Sequence, residues 1–105
     1  DQVRAVLAGL LDSLDFIEEN PAQAKQAVRD TIAAVSGKPM DAVVLDQAWQ
    51  NVVFTADPLA GTLRDGAAHA ADVGLLESPD LSGLYALDLL NGLLVERGGS
   101  AVSDR

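Results

Sequence analysis

Apolar residues at Val3, Val6, Leu7, Leu10, Leu11, Leu14 and Ile17 recur at three- and four-residue steps, and this spacing constrains the fold more than any other feature of the chain. At roughly 100° per residue they fall within an arc of about 140°, the apolar stripe of a helix running from Val3 to Glu19. Such a stripe needs a wall to press against. It halts at Asn20-Pro21. Asn is a favoured N-cap, and Pro suits the first helical position because its missing N–H would have had no intrahelical partner there. A second helix is expected to start at once, so the arrangement reads as an internal piece of a larger protein.

The same signals divide the rest of the chain. A second helix from Pro21 to about Val35 carries Ala24, Ala27, Val28, Thr31, Ile32 and Val35 on one side, and its small residues favour close helix approach. Gly37 suits the positive φ of a helix end, and Pro39 bars continuation while opening a third helix to about Gln50. The β-branched and aromatic run Asn51-Val52-Val53-Phe54-Thr55 reads as a short extended link. Asp57-Pro58 repeats the cap-plus-proline signal and opens a fourth helix to about Val73, ended by Gly74. A fifth, leucine-rich segment runs from about Leu81 to Arg97. Its residues Ala86, Leu87, Leu89, Leu90, Leu93 and Leu94 cover an arc of about 160°, so contact on two sides is expected. The expected class is all-α, a compact bundle of about five helices over 1–97 with one extended link. A flexible tail is expected over 98–105.

Composition agrees with helices. Hydrophobic residues make up 49% and aromatic residues 4%, so a core must be built from Leu, Val, Ile and Ala, which suit closely packed helices. No apolar run approaches the roughly 18 residues that a bilayer-spanning helix needs. With sixteen acids against seven bases the net charge is -9, which repels phosphate backbones, so no nucleic-acid partner is expected. The chain has no cysteine, which removes disulfides, thiolate metal sites and cysteine nucleophiles.

Groups that carry chemistry are sparse. His69 with Asp65 and Asp72 shares one helical face, a spacing that a one-sided metal site can use, but that face lies opposite the apolar stripe, where solvated charge belongs. Asp12, Asp15, Glu18 and Glu19 lack the ligand spacing and central glycine of a calcium loop, and a solvated helix face accounts for them. None of Ser13, Ser36, Ser78, Ser82, Ser100 or Ser103 sits in a nucleophile elbow, and neither dinucleotide nor Walker glycine patterns occur. Hence no catalytic residue, metal or cofactor is assigned, and the chain is not read as an enzyme. Trp49 and Phe54 flank Asn51 across the non-helical link, a local composition that ligand pockets use. The commoner role of such a pair is core packing.

The order of phrases resembles the C-terminal region of ABC-importer solute-binding proteins of the nitrate, sulfonate and taurine group, related to the thiamine-pyrimidine-synthesis-like proteins. Val3-Arg4-Ala5-Val6-Leu7-Ala8-Gly9-Leu10-Leu11 followed by Phe16-Ile17-Glu18-Glu19-Asn20-Pro21-Ala22-Gln23-Ala24 is similar to that family's helix ending in an I-x-E-N-P-E-x-A phrase. Val53-Phe54-Thr55-Ala56-Asp57-Pro58 resembles its extended link. Ala71-Asp72-Val73-Gly74-Leu75-Leu76 with Pro79-Asp80-Leu81-Ser82-Gly83-Leu84-Tyr85 resembles its G-L-I … P-D-L-S-x-L close. The resemblance implies a piece of a bilobal α/β periplasmic-binding-protein fold that captures a small solute outside the cytoplasm, in the periplasm or lipid-anchored at the cell surface, and hands it to ABC permease subunits. The strands and most solute-contacting loops would lie upstream, so no ligand-binding residue is carried over to this chain. The acidic charge is at odds with an anionic solute held here, since the bases Arg4, Lys25, Arg29, Lys38 and Arg64 are scattered. From another class comes the alternative of a free-standing helical interaction module that associates through the apolar face from Ala86 to Leu94.

Overall fold

The computed structural model describes residues 1–104, and these form five helices with no strand. In chain order they are α1 (Gln2–Glu19), α2 (Pro21–Ser36), α3 (Ala42–Trp49), α4 (Ala60–Asp72) and α5 (Asp88–Glu96). Among the described residues no helix is long and apolar enough to cross a membrane. The chain divides into two units, one of Gly9–Ala56 and one of Asp1–Ala8 with the chain from Asp57 onward.

In the unit Gly9–Ala56 the single residue Asn20 separates α1 from α2. Its N–H donates to Phe16 O at 2.8 Å and its carbonyl accepts from Ala24 N at 2.9 Å, so the backbone is hydrogen-bonded across the break. The Asn20 side chain makes no capping bond, and the fixed φ of Pro21 carries the helix start instead. Gly37 closes α2 in the left-handed region at φ 74° with its N–H on Ala33 O. The third helix starts later than Pro39. Asp41, extended and accepting from Val43 N at 2.8 Å, is its N-cap. A proline fixes φ but satisfies no orphan N–H, and the residue before it, Lys38, has no short acceptor side chain to do so. The intervening turn is held by Arg29 Nε donating to Met40 O at 3.1 Å. Leu11, Ala24 and Leu45 are the buried apolar residues of this unit. Among the described residues α2 and α3 are the helix pair whose backbones approach closely.

In the other unit Asp1 caps α1 by accepting from the N–H groups of Val3 at 2.8 Å and Arg4 at 3.2 Å. Arg4 pairs with Glu96, and Arg97 Nη2 donates to Ala8 O at 3.3 Å, so the first turns of α1 are tied to the end of α5. The fourth helix does not start at Asp57-Pro58. The Asp57 carboxylate accepts from Leu59 N at 2.8 Å, and Leu59 takes the left-handed conformation at φ 55°, so helical dihedrals begin only at Ala60. The fifth helix is also shorter than expected. Asp80 accepts from Ser82 N at 2.9 Å and Gly83 sits at φ 72°, a turn that keeps residues 81–87 out of the helix. Ala86 and Leu87 therefore precede α5; of the expected wide face, Leu90 and Leu93 are buried and Leu89 is exposed. They join Ala60, 1% exposed, as the buried apolar residues of this unit.

Both α4 and α5 stop at left-handed glycines. Gly74 N bonds Ala71 O at 3.0 Å and Leu75 N bonds Ala70 O at 2.8 Å, while Gly98 N bonds Val95 O at 3.0 Å and Gly99 N bonds Leu94 O at 2.8 Å. This double bond pattern satisfies the last orphan carbonyls and turns the chain back on itself. A Cβ on Gly99 would meet Leu94 O at 3.2 Å, so Gly98 and Gly99 act together as a helix stop. Residues 98–104 of the expected tail lie outside helices, and Arg105 lies outside the described residues.

Candidate ligand groove

The unit Gly9–Ala56 contains an open groove of about 410 Å³. Its α1 wall is Asp12, Ser13, Phe16 and Ile17, its α2 wall is Ala24, Ala27 and Val28, and Trp49 and Phe54 complete it. Residues spaced one, three and four apart on a helix share a face, so each wall is one side of one helix. The short break at Asn20 brings the two walls into one groove, and alanines on α2 leave it room.

Turn chemistry positions the aromatic pair. After α3 the N–H groups of Asn51 and Val52 donate to Ala48 O at 3.0 Å and Trp49 O at 3.2 Å, and Asn51 Nδ2 reaches Gln47 O at 3.2 Å. The link bends back, and the rings of Phe54 and Trp49 meet at 4.9 Å between centroids with 46° between planes, a tilted contact worth about 1 kcal/mol. Lys25 Nζ lies 5.7 Å from the Trp49 ring centroid and 3.1 Å from Asp46 Oδ1, so one cation joins α2 to the C-terminal half of α3. Phe54 is 43% exposed. The pair therefore stands at the groove wall.

Chemically the groove is mostly apolar. Its polar edge is Asp12 and Ser13, and the Ser13 hydroxyl donates to Gly9 O at 2.9 Å within its own helix. Ser36 is likewise turned onto Ile32 O at 2.6 Å. His69, Asp65 and Asp72 are all exposed on α4, and among the described residues no group of three or more His, Cys, Asp or Glu is arranged to hold a metal ion. The Asp80 carboxyl is held below the usual carboxylate range by the Ser82 hydroxyl and then by the Ser82 N–H. It belongs to the turn before α5.

The scattered bases act as ties within each unit. Arg4 pairs with Glu96, Lys25 with Asp46, and Arg29 and Arg64 donate to the carbonyls of Met40 and Asp104. Four of the five bases named from sequence thus serve the fold. The aromatic side of the groove was visible in sequence as Trp49 and Phe54, whereas Ile17 and Val28 carried only their helix periodicity and Phe16 stood outside the apolar stripe. Compared with family models, curated proteins and solved structures, the chain finds no match.

Proposed function

We propose that this chain is the helical C-terminal part of an extracytoplasmic solute-binding protein of an ABC importer, of the group that takes nitrate, sulfonates or taurine. It acts by binding alone. The observation that carries this reading is the amount of apolar side chain left uncovered. In the unit Gly9–Ala56 these include Val35, Val43, Val44, Val52, Val53 and Phe54; in the other they include Leu59, Leu63, Val73, Leu75 and Leu76. Of those named, Val35, Val43, Val44 and Leu63 lie on helices and the others on the links and turns beside them; large apolar side chains left bare in such number suit a surface that another part of a protein covers, as the rest of a bilobal receptor would. The ordered phrases from Val3 to Tyr85 support the same reading. Because Arg4, Lys25, Arg29 and Arg64 are spent on structural ties, the solute would be held by upstream lobes, which then close on it and present it to the permease.

A thermal-shift screen of the full-length receptor tests this. Nitrate, alkanesulfonates, taurine, bicarbonate and thiamine-like pyrimidines are the ligands, and saturation at about 100 times Kd stabilises the folded state by about 2.7 kcal/mol. No shift with any of them counts against transport. The groove favours a second reading, a free-standing helical module whose α1–α2 face accepts an apolar partner segment. An upstream reading frame with an export signal and alternating βα pattern supports the receptor; its absence supports the module.

A further inference from the structure

We propose that residues 99–104 form a strap that ties α4 to α5, fastened by Asn91. Asn91 Nδ2 donates to Val102 O at 3.1 Å, and Val102 N donates to Asn91 Oδ1 at 2.8 Å. A carboxamide presents one donor edge and one acceptor, so it pairs with a backbone residue as a neighbouring strand would. Two residues further on, Arg64 Nε of α4 donates to Asp104 O at 2.8 Å. The glycine stop at Gly98 and Gly99 makes this possible by reversing the chain. From Gly99 to Val102 an extended chain covers about 10 Å, and from Arg97 back to Asn91 the helix covers about 9 Å. The returning segment therefore meets the first turn of α5 in register.

The strap matters because little else joins these helices. Among the described residues no close backbone approach links α4 to α5, and the buried apolar residues of the unit are Ala60, Leu90 and Leu93. Beneath the strap lies a groove of about 500 Å³ lined by Tyr85, Leu87, Asp88 and Asn91 on one side and by Val102 and Asp104 on the other. Asn91 and Val102 are half-buried whereas Asp104 is exposed, so the Asn91–Val102 pair is the better shielded of the two fastenings. Release removes one wall of this groove and frees α4 from α5. This inference does not rest on the receptor reading.

Amide hydrogen exchange on the whole chain tests it. The Val102 amide is expected to exchange at least ten times faster in Asn91→Ala than in the parent chain, with the Arg97 amide, bonded to Leu93 O, unchanged. Asn91→Asp keeps the acceptor and loses the donor, so an intermediate rate is expected. Arg64→Ala removes no contact to Val102, yet its rate rises about threefold if the strap is one device. The proposal is overturned by a Val102 amide that already exchanges freely in the parent chain, by one that Asn91→Ala leaves unchanged, or by equal acceleration at Val102 and Arg97.

Discussion

The helices α2 and α3 are joined differently from α4 and α5. The first pair meets along its backbones, buries Ala24 and Leu45, and adds the Lys25 contacts to Asp46 and Trp49. The second pair shows no such backbone approach; its unit buries Ala60, Leu90 and Leu93, and the strap hydrogen-bonds to both helices. The first join is thus made by direct helix approach and the second by hydrogen bonds from a separate segment. The α4–α5 unit also holds the strained Leu59 and both double-bonded glycine stops. It is the part in which local backbone chemistry, rather than helix contact, decides where elements begin and end.

Substitutions can break or sharpen that contrast. The largest effect is expected from Leu90→Asp: an unpaired charge at a 7% exposed site costs at least about 3 kcal/mol. Exchange protection should vanish from α4 and α5 while α2 and α3 keep theirs, and loss in all four helices would mean that the two units fold as one. Leu45→Ala should cost about 2–4 kcal/mol in urea unfolding followed at Trp49, the range for a buried leucine whose cavity does not collapse. A cost below about 1 kcal/mol would remove the helix contact as the distinguishing feature of α2–α3. Leu59→Gly should stabilise its unit by about 1 kcal/mol, since φ 55° is strained for leucine and free for glycine. The side chain is 53% exposed, so little burial is lost.

Asp41→Ala should destabilise α3 by about 1 kcal/mol through loss of its cap, measured by the same urea unfolding. The smallest effect is electrostatic. Because the Ser82 hydroxyl holds the Asp80 carboxyl low, Ser82→Ala should move its titration midpoint upward in an NMR titration. The sign follows from linkage: a depressed carboxyl contributes stability above its ordinary pKa and loses it as pH falls through the folded value.

Much of the helix order was legible. Period and Asn20-Pro21 placed α1 and α2 closely, and Gly37 and Gly74 marked helix ends because only a residue free at positive φ serves there. Helix starts were harder for a physical reason. Asp41, Asp57 and Asp80 each accept from the N–H two residues on, at 2.8, 2.8 and 2.9 Å. An N-cap and an isolated turn share this bond, and the conformation of the next few residues decides between them. After Asp41 the chain is helical; after Asp57 it passes through left-handed Leu59, and after Asp80 through Gly83. Gly98-Gly99-Ser100 reads as loose low-complexity chain, yet its glycines form the stop that launches the strap. Of the groove, the aromatic pair was visible and the α1–α2 wall was not, because that wall exists only once the break at Asn20 sets faces of both helices around one space.

If the chain is part of a receptor, the uncovered apolar side chains of both units are faces that the rest of the receptor covers. Covalent side-chain footprinting read by mass spectrometry tests this most directly, on this chain alone and within the full-length protein that carries it. Val43, Val53, Phe54, Leu63 and Leu75 should label readily in the isolated chain and fall severalfold in the full-length protein. Equal labelling of these residues in both would contradict the receptor reading.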